Sequence, residues 1–207
     1  MTLIRSVFQD ELDGVSQTLV DLTTMVGHAI SEATETILTQ DLNRAEQVIA
    51  TDDQIDEIQH ELDARIIAII ARQQPVASDL RALVTALRMS ADLEKIARLR
   101  HPDAAIPKEL DKVFREMGSS AQAIALKTGK VIASRDTNLA LEVERDDDVM
   151  DKLHRQLIST LVDPHWSHGV EAAIDLTLLG RYYERFADHA VSVSRRVYFL
   201  VTGHYSE

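Results

Sequence analysis

A chain of 207 residues that is 45% hydrophobic can bury one large core or two small ones. Aromatic residues at 4% and only seven glycines lean towards an all-α chain, and the lack of cysteine excludes disulfides, thiolate chemistry and Cys-ligated zinc or iron–sulfur sites. With 34 acids against 22 bases and a formal charge of −12, the surface is the wrong sign for non-specific nucleic-acid binding, though it suits cations or a basic partner.

Met1 to Asp10 contains an arginine but no apolar core, so no signal peptide is expected. The longest apolar run, Ile66 to Ala71, is bracketed by Arg65 and Arg72 and is far shorter than the ~18 residues of a membrane span. A soluble, cytoplasmic protein is expected.

Residues 3–39 read as one long helix. Ile4, Phe8, Leu12, Val15, Leu19, Leu22, Val26, Ala29, Ala33 and Ile37 keep a three–four spacing. Gly14 and Gly27 weaken it by about 1 kcal/mol each at most. Thr39-Gln40-Asp41 is a polar break. A second helix over about 42–73 follows, with a seam of Val48, Ile55, Ile58, Leu62, Ile66 and Ile69. Gln74-Pro75 stops it, because the residue before proline disfavours the helical well. A third helix is expected from Ala77 or Ser78 to Arg100, and short turns make the three an up-down-up bundle.

His101 to Pro107 holds two prolines in seven residues and is the natural boundary between residues 1–104 and 105–207. The pattern then repeats. A fourth helix spans about 107–135, with Gly118 and Gly129 inside it, and a fifth about 138–162 after the break Arg135-Asp136-Thr137. Asp163-Pro164 ends that helix. The sixth opens at His165 to Ser167 and runs to about 202, with Gly203 as its cap. Its seam is Leu176, Leu179, Tyr183, Phe186, Ala190, Val193, Val197 and Leu200.

The halves share more than helix count. Thr51-Asp52-Asp53-Gln54-Ile55-Asp56 is echoed by Arg145 to Asp151, and Asp92-Leu93-Glu94-Lys95-Ile96-Ala97-Arg98 by Tyr182 to Asp188. Internal duplication predicts an all-α fold of two tandem three-helix bundles, six helices in all, packed side by side.

Three acidic pairs have the four-residue spacing that stacks side chains on one helix face: Asp52 with Asp56, Asp147 with Asp151, and Glu184 with Asp188. A short turn makes the fifth and sixth helices antiparallel neighbours, so Asp147, Asp151, Glu184 and Asp188 are expected at similar heights. Four converging carboxylates repel unless a cation joins them, and oxygen-only ligands suit hard cations. The competing reading is a solvated acidic face, with Arg181 and Arg185 pairing with Glu184 and Asp188 along the helix. In the first half Arg98 stands where Asp188 stands in the second. Its guanidinium is expected to replace the cation beside Asp52, Asp56 and Glu94.

The histidines carry weaker signals. Glu57-Ile58-Gln59-His60 is a Glu-x-x-His, but a carboxylate-bridged di-iron bundle needs two. His154 either adds a nitrogen ligand beside Asp151 or packs at the bundle rim. His165 and His168 flank Trp166 in a turn read as structural. There is no Gly-rich phosphate loop, nucleophile elbow or Ser–His–Asp order.

The duplicated acidic helix, followed by Asp-Leu-Glu-Lys-Ile-Ala or by Tyr-Tyr-Glu-Arg-Phe-Ala-Asp-His-Ala, resembles the PhoU family. The resemblance covers both halves and is most specific from Arg181 to Gly203. It implies a non-enzymatic negative regulator of the bacterial phosphate-starvation response. It also implies an adaptor between the phosphate ABC transporter ATPase and a sensor histidine kinase. Such a protein is cytoplasmic or peripheral at the membrane, and often a homodimer. The family's acidic motifs carry metal ions, here expected as iron, magnesium, manganese or zinc. The ligands implied are Asp147, Asp151, Glu184 and Asp188 in the second half, and Asp52, Asp56 and Glu94 in the first. The alternatives are a carboxylate-bridged ferritin-like metalloprotein and a helical protein without metal.

Overall fold

The structure, a computed structural model, describes residues 2–73 and 106–204, apart from the side chains of residues 2–7, 42, 45, 52 and 73. Five α-helices fill those segments: α1 (Thr2–Thr39), α2 (Leu42–Gln73), α3 (Asp111–Ser134), α4 (Thr137–Leu161) and α5 (Gly169–Thr202). Among the described residues there is no strand. The expected third helix, with Glu94 and Arg98, and most of the boundary segment lie outside the described residues.

Both described polar breaks are built alike. Gln40 takes the left-handed conformation at φ 54°, and Asp41 then accepts from the backbone N–H groups of Asn43 and Arg44 at 3.0 and 3.2 Å. Arg135 does the same at φ 55°, and Asp136 accepts from Asn138 and Leu139 at 2.8 and 3.3 Å. One residue leaves the helical well and the next caps the new helix, satisfying amide groups that have no partner inside it. The two devices are 95 residues apart, from Gln40 to Arg135. The same offset relates buried positions: Leu19 to Phe114, Leu22 to Met117, Ile55 to Met150 and Leu62 to Leu157. The repeat is therefore structural as well as sequential.

α3, α4 and α5 form an antiparallel three-helix bundle around Met117, Ile124, Val143, Met150, Leu157, Leu179 and Phe186. α2 packs on α1 through Ile55, Leu62, Ile66 and Ile69. α1 is also the helix that meets the second bundle, lying antiparallel along α3. That double duty changes its seam. After Val26 the buried positions are Gly27, Ile30 and Thr34, whereas Ala29 and Ala33 of the expected seam are only half-buried.

The α1–α3 approach rests on small residues. A Cβ placed on Gly129 would run into Thr23, and one on Gly118 would run into Thr34. Between them, a Cβ on Gly27 would lie 3.3 Å from the Cβ of Ala125. Thr23 and Thr34 are eleven residues apart, as are Gly118 and Gly129, which is about three helical turns. Under the 95-residue offset Thr23 corresponds to Gly118, and Thr34 to Gly129. Each threonine thus sits against the glycine equivalent to the other threonine. The halves meet about a pseudo-two-fold axis, as two copies in a symmetric dimer meet. Gly118 and Gly129 are contact points, not merely weak spots in a helix.

A second tie crosses the same seam. The hydroxyls of Thr34 and Tyr183 are 2.7 Å apart, and the Tyr183 ring tilts against Phe114 with centroids 6.1 Å apart. Burial pushes the Tyr183 phenol up to about 12, against the opposing effect of its Thr34 bond. It therefore stays a neutral hydrogen-bonding group that fixes the rotation of α5 against α1 and α3.

α5 starts at Gly169, later than expected. Asp163 organises a turn first, accepting from the backbone N–H of His165 at 2.8 Å, with the His165 ring Nδ1 also 2.8 Å away. Trp166 donates its indole N–H to the Gly169 carbonyl at 2.8 Å. The structural reading of this turn holds, as does Gly203 as the closing cap, at φ 78° with its N–H bonded to Phe199.

Gly129→Thr is expected to lower the unfolding free energy by about 1–3 kcal/mol, because the added side chain overpacks Thr23. Adding Thr23→Gly exchanges the partners and is expected to recover most of that loss. Urea unfolding of both single variants and the double variant measures it. Failure of the double to recover stability refutes the exchange.

Candidate metal centre on the α4–α5 hairpin

The turn after α4 brings α5 back alongside it, and Gly180 sets how closely. A Cβ there would run into Leu157 and would lie 3.3 Å from the His154 ring. Higher up, Arg195 on α5 donates to Glu144 on α4 at 2.8 Å. These two contacts fix the register. Asp147 and Asp151 on α4 then lie beside Asp188 on α5, which is one turn from Glu184.

The electrostatics show the result. Asp147 is half-buried, and its Oδ1 is buried with no hydrogen-bond partner. Its pKa is pushed up from 3.8 to about 6, first by burial and then by the charges of Asp151, Asp188 and Asp148, with Arg195 opposing. The neighbouring acids are treated differently. Lys127 on α3 bonds Asp146 at 2.6 Å and Glu142 at 3.4 Å, and Arg195 holds Glu144. Arg181 pairs with Glu184 within α5. Lys127, Arg195 and Arg181 are thus each paired with an acid other than Asp147.

Of the four carboxylates expected to converge, the helices bring Asp147, Asp151 and Asp188 within electrostatic reach. Glu184 instead follows the along-helix pairing with Arg181. His154 lies below the group. Its Nε2 is buried without a hydrogen-bond partner, and burial and Arg181 lower its pKa while Asp151 opposes.

The donor set suits a hard cation: oxygens from two helices, one of them buried and unsatisfied, under mutual repulsion. As the side chains stand, no three His, Asp or Glu residues among the described residues are grouped closely enough to hold an ion. To hold a cation, these side chains would have to rotate towards Asp147. In the first half, Asp56 is half-buried, while the Asp52 side chain and Glu94 lie outside the described residues. Glu57 and His60 are exposed, and the His60 ring is 2.7 Å from the Asp56 carbonyl.

Two helical units related by a 95-residue repeat and joined along α1 and α3, with an acidic hairpin on α4 and α5, define a class of duplicated helical-bundle proteins. A family model described as the PhoU domain matches twice, over residues 19–99 and 114–197. The two matches begin 95 residues apart, the same offset as the hairpins. The phosphate-specific transport system accessory protein PhoU homolog 2 of Mycobacterium tuberculosis is 41% identical, over 97% of this chain and 99% of that protein. The PhoU homolog 1 of Mycobacterium leprae is 41% identical, over 99% and 96%. The crystal structure of PhoU from Pseudomonas aeruginosa superposes with a TM-score of 0.81 at 28% identity, covering 95% of this chain and all of that one. The chain belongs to the PhoU family, and the all-α duplicated fold expected from its sequence is the fold it has.

Asp147 gives a pH signature. A carboxyl whose folded pKa lies above its unfolded value favours the folded state fully below about 4. That contribution is lost as the pH rises through about 6. In chelator-treated protein, Asp147→Asn is therefore expected to raise stability at pH 8 by about 1 kcal/mol, after discounting for solvent screening. It should change little at pH 4. Urea midpoints at both pH values measure this, and an equal effect at each would refute the assignment.

Proposed function

We propose that this protein is a non-enzymatic accessory regulator of phosphate transport that holds the phosphate-starvation response off when phosphate is plentiful. The observation that carries the reading is near-complete coverage, at 41% identity, of relatives named as phosphate-specific transport system accessory proteins. On this reading the protein is an adaptor between the ATPase subunit of the phosphate ABC transporter and a sensor histidine kinase, acting in the cytoplasm or at the membrane surface.

The physical character of the chain supports this. No helix among the described residues is long and apolar enough to cross a membrane, so contact with a transporter would run through protein surfaces outside the bilayer. Long helices offer extended docking faces, and a charge of −12 favours basic partner patches. We further propose that Asp147, Asp151 and Asp188, with Glu184 when it leaves Arg181, bind a divalent or trivalent cation. The bound cation would supply charge neutralisation and a cross-link between α4 and α5. The acids of the first half, Asp52, Asp56 and Glu94, are proposed as the weaker site, on the strength of Arg98 in their motif. The ferritin-like alternative gains no support from exposed Glu57 and His60.

Two measurements test the reading. Immobilised protein is expected to retain the transporter ATPase and the kinase from lysates of phosphate-replete cells; recovery of neither would sink the adaptor role. Titration with Mn²⁺ is expected to raise the melting temperature, and Asp147→Ala with Asp188→Ala to abolish that rise. Asp52→Ala should leave most of it. A rise that survives the Asp147 and Asp188 changes refutes this cation site.

A further inference from the structure

The groove between α3 and α4 holds features that neither the core nor the acidic group uses. Lys112, Arg115, Glu116, Ser119, Val149 and Leu153 line it, and its volume is about 480 Å³. Val149 is 48% exposed there, beside the buried Leu153. Arg145 lies four residues before Val149 and Lys152 three after, so both stand one turn away on the same side of α4, and both are exposed. Lys112 and Arg115 close the α3 side, in exposed pairs with Glu116 at 3.8 Å and with Glu35 of α1. Such pairs contribute little in water, so an incoming carboxylate can exchange with them.

The 95-residue repeat supplies a comparison within the chain. The same helix pair in the first half, α1 with α2, carries Gln17, Ala50, Gln54 and Glu57 where the second carries Lys112, Arg145, Val149 and Lys152. All four are exposed. The fold is thus built once without an exposed valine or these cations, and packing does not demand them. In a chain of formal charge −12, cations gathered around one exposed apolar side chain reverse the local character of the surface. We propose that this groove binds an acidic amphipathic segment of a partner protein. An apolar side chain of that segment lies on Val149 and Leu153, and carboxylates one turn to either side face Arg145 and Lys152 of α4 and Lys112 and Arg115 of α3. A nucleic acid would meet the negative field of the whole chain, and a flat lipid surface does not enter a trough between two helices. From Arg145 to Lys152 the helix rises about 10 Å, so the segment engaged is about two helical turns long. Neither the transporter reading nor a cation at Asp147 is needed for this contact.

The probe is a fluorescein-labelled peptide with a Leu-x-x-Leu pair flanked on each side by two glutamates. It is titrated by anisotropy with the full chain in the presence of a chelator. It is expected to bind, and to bind several-fold more weakly when salt is raised to about 0.5 M. The same peptide with lysines in place of the glutamates should not bind. Arg145→Ala, Val149→Gln and Lys152→Glu together install the first half's residues. The circular dichroism signal and urea midpoint of this triple variant are expected to stay as in the wild type, while peptide affinity falls at least tenfold. Val149→Gln alone should weaken binding several-fold, and Ile174→Gln, at a position 55% exposed on α5, should leave it unchanged. No binding of the acidic peptide, equal binding of the lysine peptide, or an equal loss in the Ile174 variant overturns the proposal. So does binding to phosphatidylglycerol vesicles that the triple variant loses, without binding to the peptide, which would assign the groove to an anionic lipid surface.

Discussion

The seam between α1 and α3 is the constraint on which the other features depend. Thr23 against Gly129 and Thr34 against Gly118 let two long helices approach closely. All four residues are buried. The exchange matters more than the smallness. Two threonines at one contact would collide, and two glycines would leave a void with lost dispersion contacts. A chain that carried the same residue, threonine or glycine, at all four positions would have one fault or the other. Divergence has put threonines in α1 and glycines in α3, so both contacts close.

From that seam the second bundle is positioned down to the charge level. Lys127 is two residues before Gly129, on a helix whose rotation the glycines determine. It reaches Asp146 and Glu142 on α4 and neutralises them. Tyr183, bonded to Thr34 across the seam, immediately precedes Glu184, which pairs with Arg181. The acids whose charges still act on Asp147 are Asp151, Asp188 and Asp148.

What could be read in the sequence was what is local. Three–four seams, the proline stops and the Asp41 and Asp136 breaks depend on residues within a turn or two, and the described helices, the start of α5 apart, fall where those signals put them. The acidic spacing, with the antiparallel hairpin, was enough to place Asp147, Asp151 and Asp188 together. Features that require a partner far along the chain were not legible. Gly118 is only a poor helix former until Thr34 is laid against it. The α1 seam moved to Ile30 and Thr34 because α1 faces two partners, and a one-sided periodicity cannot express two stripes. The start of α5 was displaced by side-chain bonds of Asp163 and Trp166 that compete with the helix.

The arrangement at Asp147 runs against stability. A half-buried carboxylate with an unsatisfied oxygen and three acidic neighbours costs free energy at neutral pH, and converting Asp147 to an amide of the same shape would remove most of that cost. The same hairpin shows that the fold has the means to relieve such sites, since Lys127, Arg195 and Arg181 each neutralise an acid nearby. Local strain of this kind concentrates at sites that bind something, because a cation that satisfies the carboxylates returns the electrostatic cost as affinity. A cation bound at Asp147 would also draw α4 and α5 together on the face where Gly180 already lets them approach. Because α5 is tied through Tyr183 to Thr34 of α1, the consequence of filling or emptying the site would extend across the seam into the other half of the molecule.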